Sequence, residues 1–483
     1  MSDFDIPLVT ALRQYGGGKT VRFHMPGHKG TAFTREIEEV LGSQCFRSDV
    51  TNIPGMDDLH QPRGIIREAQ NNAAALFGAD RTHFLINGCS CGLQALVMAV
   101  CQNEEKIILP RNIHRSVLSG VILSGARPVY YLPPYCKPYG IPLGSEPGDI
   151  INCLEEHPDA KAVLVVSPTY YGVVSDIRSI AEEVHRRGIP LLVDEAHGAH
   201  LYFHPRLPEG ALTAGADCVI HGTHKMIGAF TQAAMLHTLG DRINPQRLEA
   251  ALRILQSTST SYLLLASLEA ACAAMANNGK ALFAEALAIA EYARSELAKL
   301  ELSVFSSENR SELGIFDMDV TRITISMKRL AITGYDAEKL LREQHDIQVE
   351  MSDLNNILLL ITPGNRFGDI DRLCATLGTM LKQPLRQDRR WDCSDIEPYT
   401  FLPPQALTPR QAFFRPAVPV PLVSSLGRIA GEAIACYPPG VPIICPGEIF
   451  TAEIIDYLLC LRTAGAVFQG CHDSQLQMVQ VVL

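Results

Sequence analysis

The sequence predicts an α/β chain on a mostly parallel sheet, followed by a smaller α+β unit and a C-terminal unit. Three observations predict this. From about residue 65 to residue 236, short apolar runs alternate with stretches of helical spacing. Strands that read as unbroken apolar runs are buried on both faces, as in a parallel sheet covered by helices. Strand character then restarts after a long helical stretch, and the length of 483 residues exceeds one ordinary domain. We divide the chain into an N-terminal arm with loops (1–64), a large domain (65–310), a small α+β domain (311–385) and a C-terminal domain (386–483).

Taken in order, residues 1–20 hold one short amphipathic segment (Leu8, Val9, Leu12) and then Gly16-Gly17-Gly18. RFHMPGHKG, from Arg22 to Gly30, packs two His, a Pro-Gly turn and a Lys into nine residues. It reads either as an exposed turn or as a loop folded over an active site. Asp57, Asp58 and His60 lie between Pro/Gly turns, as a solvated loop or as an acidic site for a cationic group. The alternation that follows places strands at 83–86, 106–109, 128–132, 162–166, 191–193, 218–220 and 233–236. Helices fall at 66–77, 93–100, 116–123, 150–156 and 177–187, and long helical stretches at 243–256 and 263–297. The small domain has strand character at 314–327 and 356–361 and helices at 336–343 and 370–381. Residues 383–412, rich in Pro, Arg and Asp, read as a linker, and a last helix spans 452–463.

Composition narrows the function classes. Apolar residues make up 47% and charged residues 19%, which suits a well-buried globular enzyme. The formal charge is −10 and no Lys/Arg run stands out, so nucleic acid is not an expected partner. The start, MSDFDIPLVTALRQ, lacks the basic and apolar regions of a signal peptide. No apolar run reaches the roughly 18 residues of a membrane span. The 14 Cys are scattered, and the pair Cys89-x-Cys91 has no matching second pair, so zinc is not expected. Reduced thiols in a cytoplasmic protein are the simplest account.

Ligands of such sheets sit outside the carboxyl ends of the strands, so the residues just past each strand matter most. The first strand runs into Gly88-Cys89-Ser90-Cys91-Gly92 and a helix. A glycine-rich turn opening a helix offers backbone N–H groups and a positive dipole end, which suits phosphate, though it is also an ordinary tight turn. The next strand leads to Arg111-Asn112-Ile113-His114. An imidazole there could stack on a flat ring or simply lie in a helix-capping region. The strand Leu191–Val193 ends in Asp194-Glu195-Ala196-His197. A half-buried Asp needs a partner, such as a protonated ring nitrogen or backbone N–H groups. Cys218–Ile220 ends in HGTHK, and a lysine in such a turn is either a surface residue or a desolvated amine able to form a Schiff base. Together these needs fit pyridoxal 5′-phosphate, which takes a Lys Schiff base and an Asp at its ring nitrogen. The spacing of 31 residues (225 − 194) is one βαβ-scale step, so both can line one crevice.

The blocks HMPGHKG, PGMDDLH, RNIHRS, DEAHGAH, THK, STSTSYLLLASLE and YPPGVPIICPGE give the chain a family resemblance nearly end to end. It resembles the Orn/Lys/Arg decarboxylases, fold-type-I pyridoxal-phosphate enzymes, in a short form without the N-terminal wing domain. The resemblance implies that Lys225 forms the Schiff base, that Asp194 keeps the pyridine nitrogen protonated and that His114 stacks on the ring. It places Ser90 and the backbone of Cys89 and Cys91 at the phosphate with His224 beside it, and His197 near the ring hydroxyl. Thr258 to Ser261 would reach the phosphate of the partner subunit in a homodimer with shared sites. The implied reaction is α-decarboxylation of arginine, lysine or ornithine, with a lean to arginine from the short form. Asp57, Asp58, Glu195 and Glu448 are the candidate acceptors for the substrate's distal cation.

Two departures stand out. The family carries hydroxyl residues where this chain has Cys89 and Cys91, and a Ser where it has Gly222. A hydrogen bond to a charged group is worth about 1.5–3 kcal/mol, so losing several weakens the cofactor by a power of ten or more unless other groups compensate. Two other classes stay open: another fold-type-I reaction (aminotransferase or lyase), and a non-catalytic relative that binds a partner. An aminotransferase should show a carboxylate-clamping arginine, and Arg322 and Arg366 are the residues to inspect.

Overall fold

The computed structural model describes residues 4–306, 315–382, 401–437 and 440–483. Its main sheet has seven strands: β1 (Arg81–Leu85), β2 (Lys106–Pro110), β3 (Arg127–Tyr131), β4 (Ala162–Val166), β5 (Leu191–Asp194), β6 (Cys218–His221) and β7 (Ala234–Thr238). Their order is β1-β7-β6-β5-β4-β2-β3. The pairs β2–β3, β2–β4 and β5–β6 are parallel. Strand β7 runs the other way, antiparallel to both β6 and β1. The expected mostly parallel sheet is present. The reversed strand could not be read from sequence, because an apolar run reports burial and not direction.

The chain divides into two units, Met1–Ala99 with Leu192–Leu282 and Val100–Leu191 with Phe283–Leu483. In the first, the helix Pro7–Gly17 begins on proline, which has no N–H to satisfy. Its next two donors, Leu8 N and Val9 N, bond to the carboxylate of Glu269 at 3.0 and 2.7 Å. The helix Ile65–Phe77 buries Ile66, Ala69, Ala73 and Phe77, the face its periodicity predicts. The helix Gly88–Val100 follows β1 directly.

The second unit holds β2, β3 and β4 and a three-stranded sheet of Arg322–Ser326, Asn356–Leu360 and Met351–Ser352. Ile323 and Ile357 of that sheet share a core with Ala293 and Leu297 of the helix Tyr262–Lys299 and with Leu377 of the helix Phe367–Lys382. The C-terminal part pairs Ala417–Pro421 with Met478–Val482 and buries Ile434, Phe450, Leu458 and Val481.

Several elements differ from expectation. Helices Arg35–Leu41 and Ser43–Ser48 have no buried residue, so no apolar stripe announces them. Of the expected linker, 383–400 lies outside the described residues, and a capped helix, Pro409–Phe414, occupies part of the rest. Twelve described cysteines are free thiols, whereas Cys460 is disulfide-bonded, a departure from thiols throughout. Among the described residues no helix is long and apolar enough to cross a membrane, and no His/Cys/Asp/Glu group has the form of a metal site.

Candidate active site

Two parallel strand ends build the site. Strand β5 ends on Asp194, whose residue is 5% exposed. Its Oδ1 accepts one hydrogen bond, from Ala196 N at 3.2 Å. Burial raises this carboxyl above its ordinary range, while the positive charge of Lys225 and the Ala196 N–H pull the other way. Strand β6 pairs in register with β5, Asp194 opposite Ile220, and so delivers its own end to the same edge. One turn of helix, Thr223–Met226, follows and carries Lys225. The Lys225 Nζ lies 2.8 Å from His197 Nε2, in the turn after β5.

Gly222 makes that turn possible. A Cβ there would sit 2.7 Å from the Ala196 carbonyl oxygen and 3.0 Å from Lys225 Cδ. Gly222 N instead donates to the Ala196 carbonyl at 3.1 Å. Any side chain at this position would meet the Ala196 carbonyl, so the glycine does more here than lack a hydroxyl. Next to it, Thr223 Oγ1 is buried with no hydrogen-bond partner among the described residues, and Thr260 Oγ1 shares that condition. An unsatisfied buried hydroxyl costs about 1–3 kcal/mol, so each needs a group from outside the described residues. Sequence reasoning overlooked Thr223, although it stands between two residues it had singled out, whereas Thr260 lies in the stretch Thr258 to Ser261 that it expected at a phosphate.

The glycine turn after β1 starts on Gly88, with φ of +74°, and enters the helix at once. The first backbone N–H groups of any helix have no partner within it. Here they belong to residues 88–91. Burial pushes the Cys89 thiol up to about 12, with Lys225 opposing and Asp194 adding to the rise, so all three share one electrostatic neighbourhood. Cys91 donates to the Gly88 carbonyl oxygen at 3.2 Å, and Ser90 is exposed. His224 Nδ1 lies 3.0 Å from the Ala233 carbonyl oxygen. Thr258 is exposed, and Ser261 Oγ accepts from Leu264 N at the start of the long helix. All of these residues belong to the first unit, and His114 to the second.

The four acids proposed for the substrate's cation have contacts of their own. Asp57 accepts from the backbone N–H groups of Asp58, Arg63, Gly64, Ile66 and Arg67, which caps the helix Ile65–Phe77. Burial works against its charge, yet those donors leave its carboxyl below the ordinary range. Glu195 is 1% exposed, with Oε1 bonded to Ala211 N (2.8 Å) and Oε2 to Tyr202 OH (2.6 Å) and His221 Nε2 (2.8 Å). Glu448 pairs with Arg111 at 2.9 Å. The structure thus commits Asp57 and Glu195 to several partners each and Glu448 to a buried ion pair. Asp58 is half-buried and accepts one bond, from His60 N. Arg322 is fully buried beside Asp319 at 3.4 Å, and Arg366 is exposed.

Behind Glu195 lies a chain that sequence reasoning missed entirely. His221 Nδ1 meets His237 Nε2 at 3.0 Å, and His237 Nδ1 meets Thr82 Oγ1 at 2.8 Å. These residues sit on β6, β7 and β1 and are brought together by strand register, with Thr82 directly opposite His237. No sequence motif carries that register.

Comparison with known proteins gives the family of the chain. The profile of the Orn/Lys/Arg decarboxylase major domain matches residues 6–318, and that of the C-terminal domain matches residues 396–479. The arginine decarboxylase of Bacillus subtilis (strain 168) is 41% identical over 484 residues, covering 100% of this chain and 99% of the relative. That of Bacillus anthracis is 40% identical, covering 100% and 98%. Among solved structures, the lysine decarboxylase of Francisella novicida superposes with a TM-score of 0.85 at 23% identity, covering 100% of this chain and 82% of that one. The ureidoglycine-glyoxylate aminotransferase of Bacillus subtilis shares the fold at a TM-score of 0.53 and 15% identity over 66% of this chain. The chain belongs to the Orn/Lys/Arg decarboxylase family of pyridoxal-phosphate-dependent enzymes.

Proposed function

We propose that this protein releases carbon dioxide from the α-carboxylate of arginine to give agmatine, using pyridoxal 5′-phosphate held at Lys225. The observation that carries the reading is the pairing of a buried, nearly unbonded Asp194 carboxylate with the Lys225 amine on adjacent strand ends. The residues present fit the cofactor. Asp194 has acceptor capacity left for a protonated ring nitrogen, the turn at 88–91 offers backbone N–H groups to a phosphate, and Thr223 has a buried hydroxyl in need of a partner. When bound, the cofactor supplies an electron sink for the pair left on Cα as carbon dioxide departs.

The chain's own groups do the rest. Asp194, buried and with acceptor capacity to spare, would hold the ring nitrogen in its protonated form. His197 fixes the Lys225 amine at 2.8 Å and exchanges a proton with it. Lys225 or a neighbouring histidine returns a proton to Cα. By the family resemblance His114 would offer its imidazole to the ring, and His224 and Ser90 would help hold the phosphate. The chain's own residues decide the outcome by orientation, since they must align the substrate's α-carboxylate for cleavage and not its Cα–H bond. The 41% identity to an arginine decarboxylase over the full length supports arginine over lysine and ornithine. Among the candidate acids, Asp58 retains the most freedom to meet the guanidinium. We take the working form to be a homodimer in which Thr258 to Ser261 reach the partner's phosphate. Carbon-dioxide release should be measured with arginine, lysine, ornithine and a non-basic control, with and without added cofactor. Release from arginine alone supports the reading. Release from lysine or ornithine alone moves the substrate, and release from none of the three overturns decarboxylation of these amino acids.

A further inference from the structure

We propose that Arg111 and Glu448 form a positioning pair for His114, and that Glu448 serves the reaction through this histidine instead of meeting the substrate. The proposal rests on the reading of His114 as the ring-stacking imidazole.

Arg111 is the first residue past β2, and its side chain is 3% exposed. Its backbone N donates to the Tyr131 carbonyl at 2.8 Å, so the main chain is anchored on the neighbouring strand. The guanidinium then reaches the segment 440–448. It donates to Glu448 Oε2 (2.9 Å), to the Ile443 carbonyl (3.0 Å) and to Cys445 Sγ (3.0 Å). The same Glu448 oxygen accepts from Cys445 N at 2.6 Å, so one carboxylate fixes both the arginine and the turn it enters. A guanidinium cannot shed its proton, and an unpaired one this deep is strongly disfavoured, so the pair acts as a single element.

The same segment lies beside the imidazole. Arg115 N, one residue past His114, donates to the Gly440 carbonyl at 3.2 Å. A Cβ on Gly440 would come within 3.4 Å of His114 Nε2. On the other side of the ring, His114 Nδ1 accepts from Ser116 N at 3.2 Å and lies 2.7 Å from Ser116 Oγ. The stretch 111–115 is therefore tied to 440–448 on both sides of His114. Loss of the ion pair would release the turn just three residues before the imidazole.

A merely structural ion pair would predict a less stable protein with normal chemistry, so the test reads coupling. Four full-length proteins with cofactor are compared: the parent, Glu448→Gln, His114→Ala and the double variant. A misplacement of about 1 Å can cost about 10²-fold in rate, and a partial loss of support should cost about tenfold in kcat. We expect Glu448→Gln to lower kcat about tenfold, with KM within about twofold, and to reduce the visible circular dichroism of the bound cofactor. In the His114→Ala background the same change should alter kcat less than about twofold, because the group it acts through is gone. Amide exchange, read without added cofactor, should quicken at 111–116 and stay unchanged in the helix Ala452–Ala464. If Glu448→Gln does not fold, Glu448→Asp keeps the charge and should show the same lack of additivity. Additive losses, a raised KM at constant kcat, or equal quickening in both segments would overturn the positioning pair. A His114→Ala variant with normal kcat and dichroism would remove the stacking reading and this proposal with it.

Discussion

Asp194 and Glu195 are neighbours in the chain, both carboxylic acids and both nearly inaccessible, at 5% and 1% exposure. Their surroundings are opposite. Asp194 accepts one backbone hydrogen bond and feels the charge of Lys225. Glu195 has three partners, Ala211 N, Tyr202 OH and His221 Nε2, and leads into a buried chain through His237 to Thr82. Successive residues leave a strand end in opposite directions, which sends one carboxylate to the ligand side and the other into the core. A buried acid whose bonds are complete belongs to the fold. A buried acid with acceptor capacity to spare marks where a ligand completes it.

The comparison can be broken most sharply at the ligand side. Lys225→Ala should abolish decarboxylation, by about 10³-fold or more, while leaving the melting temperature near the parent's. Asp194→Asn should lose about 10²-fold or more in kcat, because the ring nitrogen loses the charge that keeps it protonated. Steady-state rates beside thermal melts check both. A large loss of stability in either variant would mean that these groups hold the fold together and would erase the contrast with Glu195.

The opposite pattern is expected on the core side. Glu195→Ala strands the Tyr202 hydroxyl and the His221 N–H, each at about 1–3 kcal/mol. Urea unfolding should show the loss, and the folded fraction should keep a kcat within several-fold of the parent. A kcat loss as deep as that of Asp194→Asn would move Glu195 into the chemistry.

Gly222→Ser sharpens the comparison at the shared turn. It restores the hydroxyl common in the family, yet its Cβ would lie 2.7 Å from the Ala196 carbonyl oxygen. Overpacking of this kind costs about 1–3 kcal/mol. A titration with pyridoxal phosphate should therefore show weaker binding than in the parent. Tighter binding would mean that the turn yields easily and that the missing hydroxyl was the dominant loss.

The smallest effect concerns pH. Burial pushes Glu195 up from 4.5 to about 8 and His221 down from 6.5 to about 3. Below the unfolded histidine value the two oppose each other, since the folded state binds an extra proton at Glu195 and lacks one at His221. Between about pH 6.5 and 8 only the Glu195 contribution remains. There the folded state holds more protons than the unfolded one, so stability falls as pH rises. Melts across this window should show a downward slope that is reduced in Glu195→Gln. Equal slopes would place Glu195 as an anion throughout.

The same contrast explains what the sequence could and could not tell. The placement of Lys225, Asp194 and the glycine turn at 88–92 at or just past strand ends is legible, because residue type and the end of an apolar run are both local. The core-side chain was not legible, because Thr82 and His237 lie 155 positions apart and meet only through the register of β1 with the reversed strand β7. From sequence alone Glu448 reads as a free acceptor for the same reason. Its partner, Arg111, is 337 positions away. Gly222 was read as a missing hydroxyl, since the closeness of the Ala196 carbonyl exists only once β5 and β6 are side by side.

The central claim is that Lys225 is the residue joined to the cofactor. The protein loaded with pyridoxal phosphate should be reduced with borohydride, digested and mapped by mass spectrometry. The visible band should disappear, and the pyridoxyl mass should be found on the peptide containing Lys225 in the parent and nowhere in Lys225→Ala. A label on another lysine, or loaded protein with no covalent label at all, would contradict it.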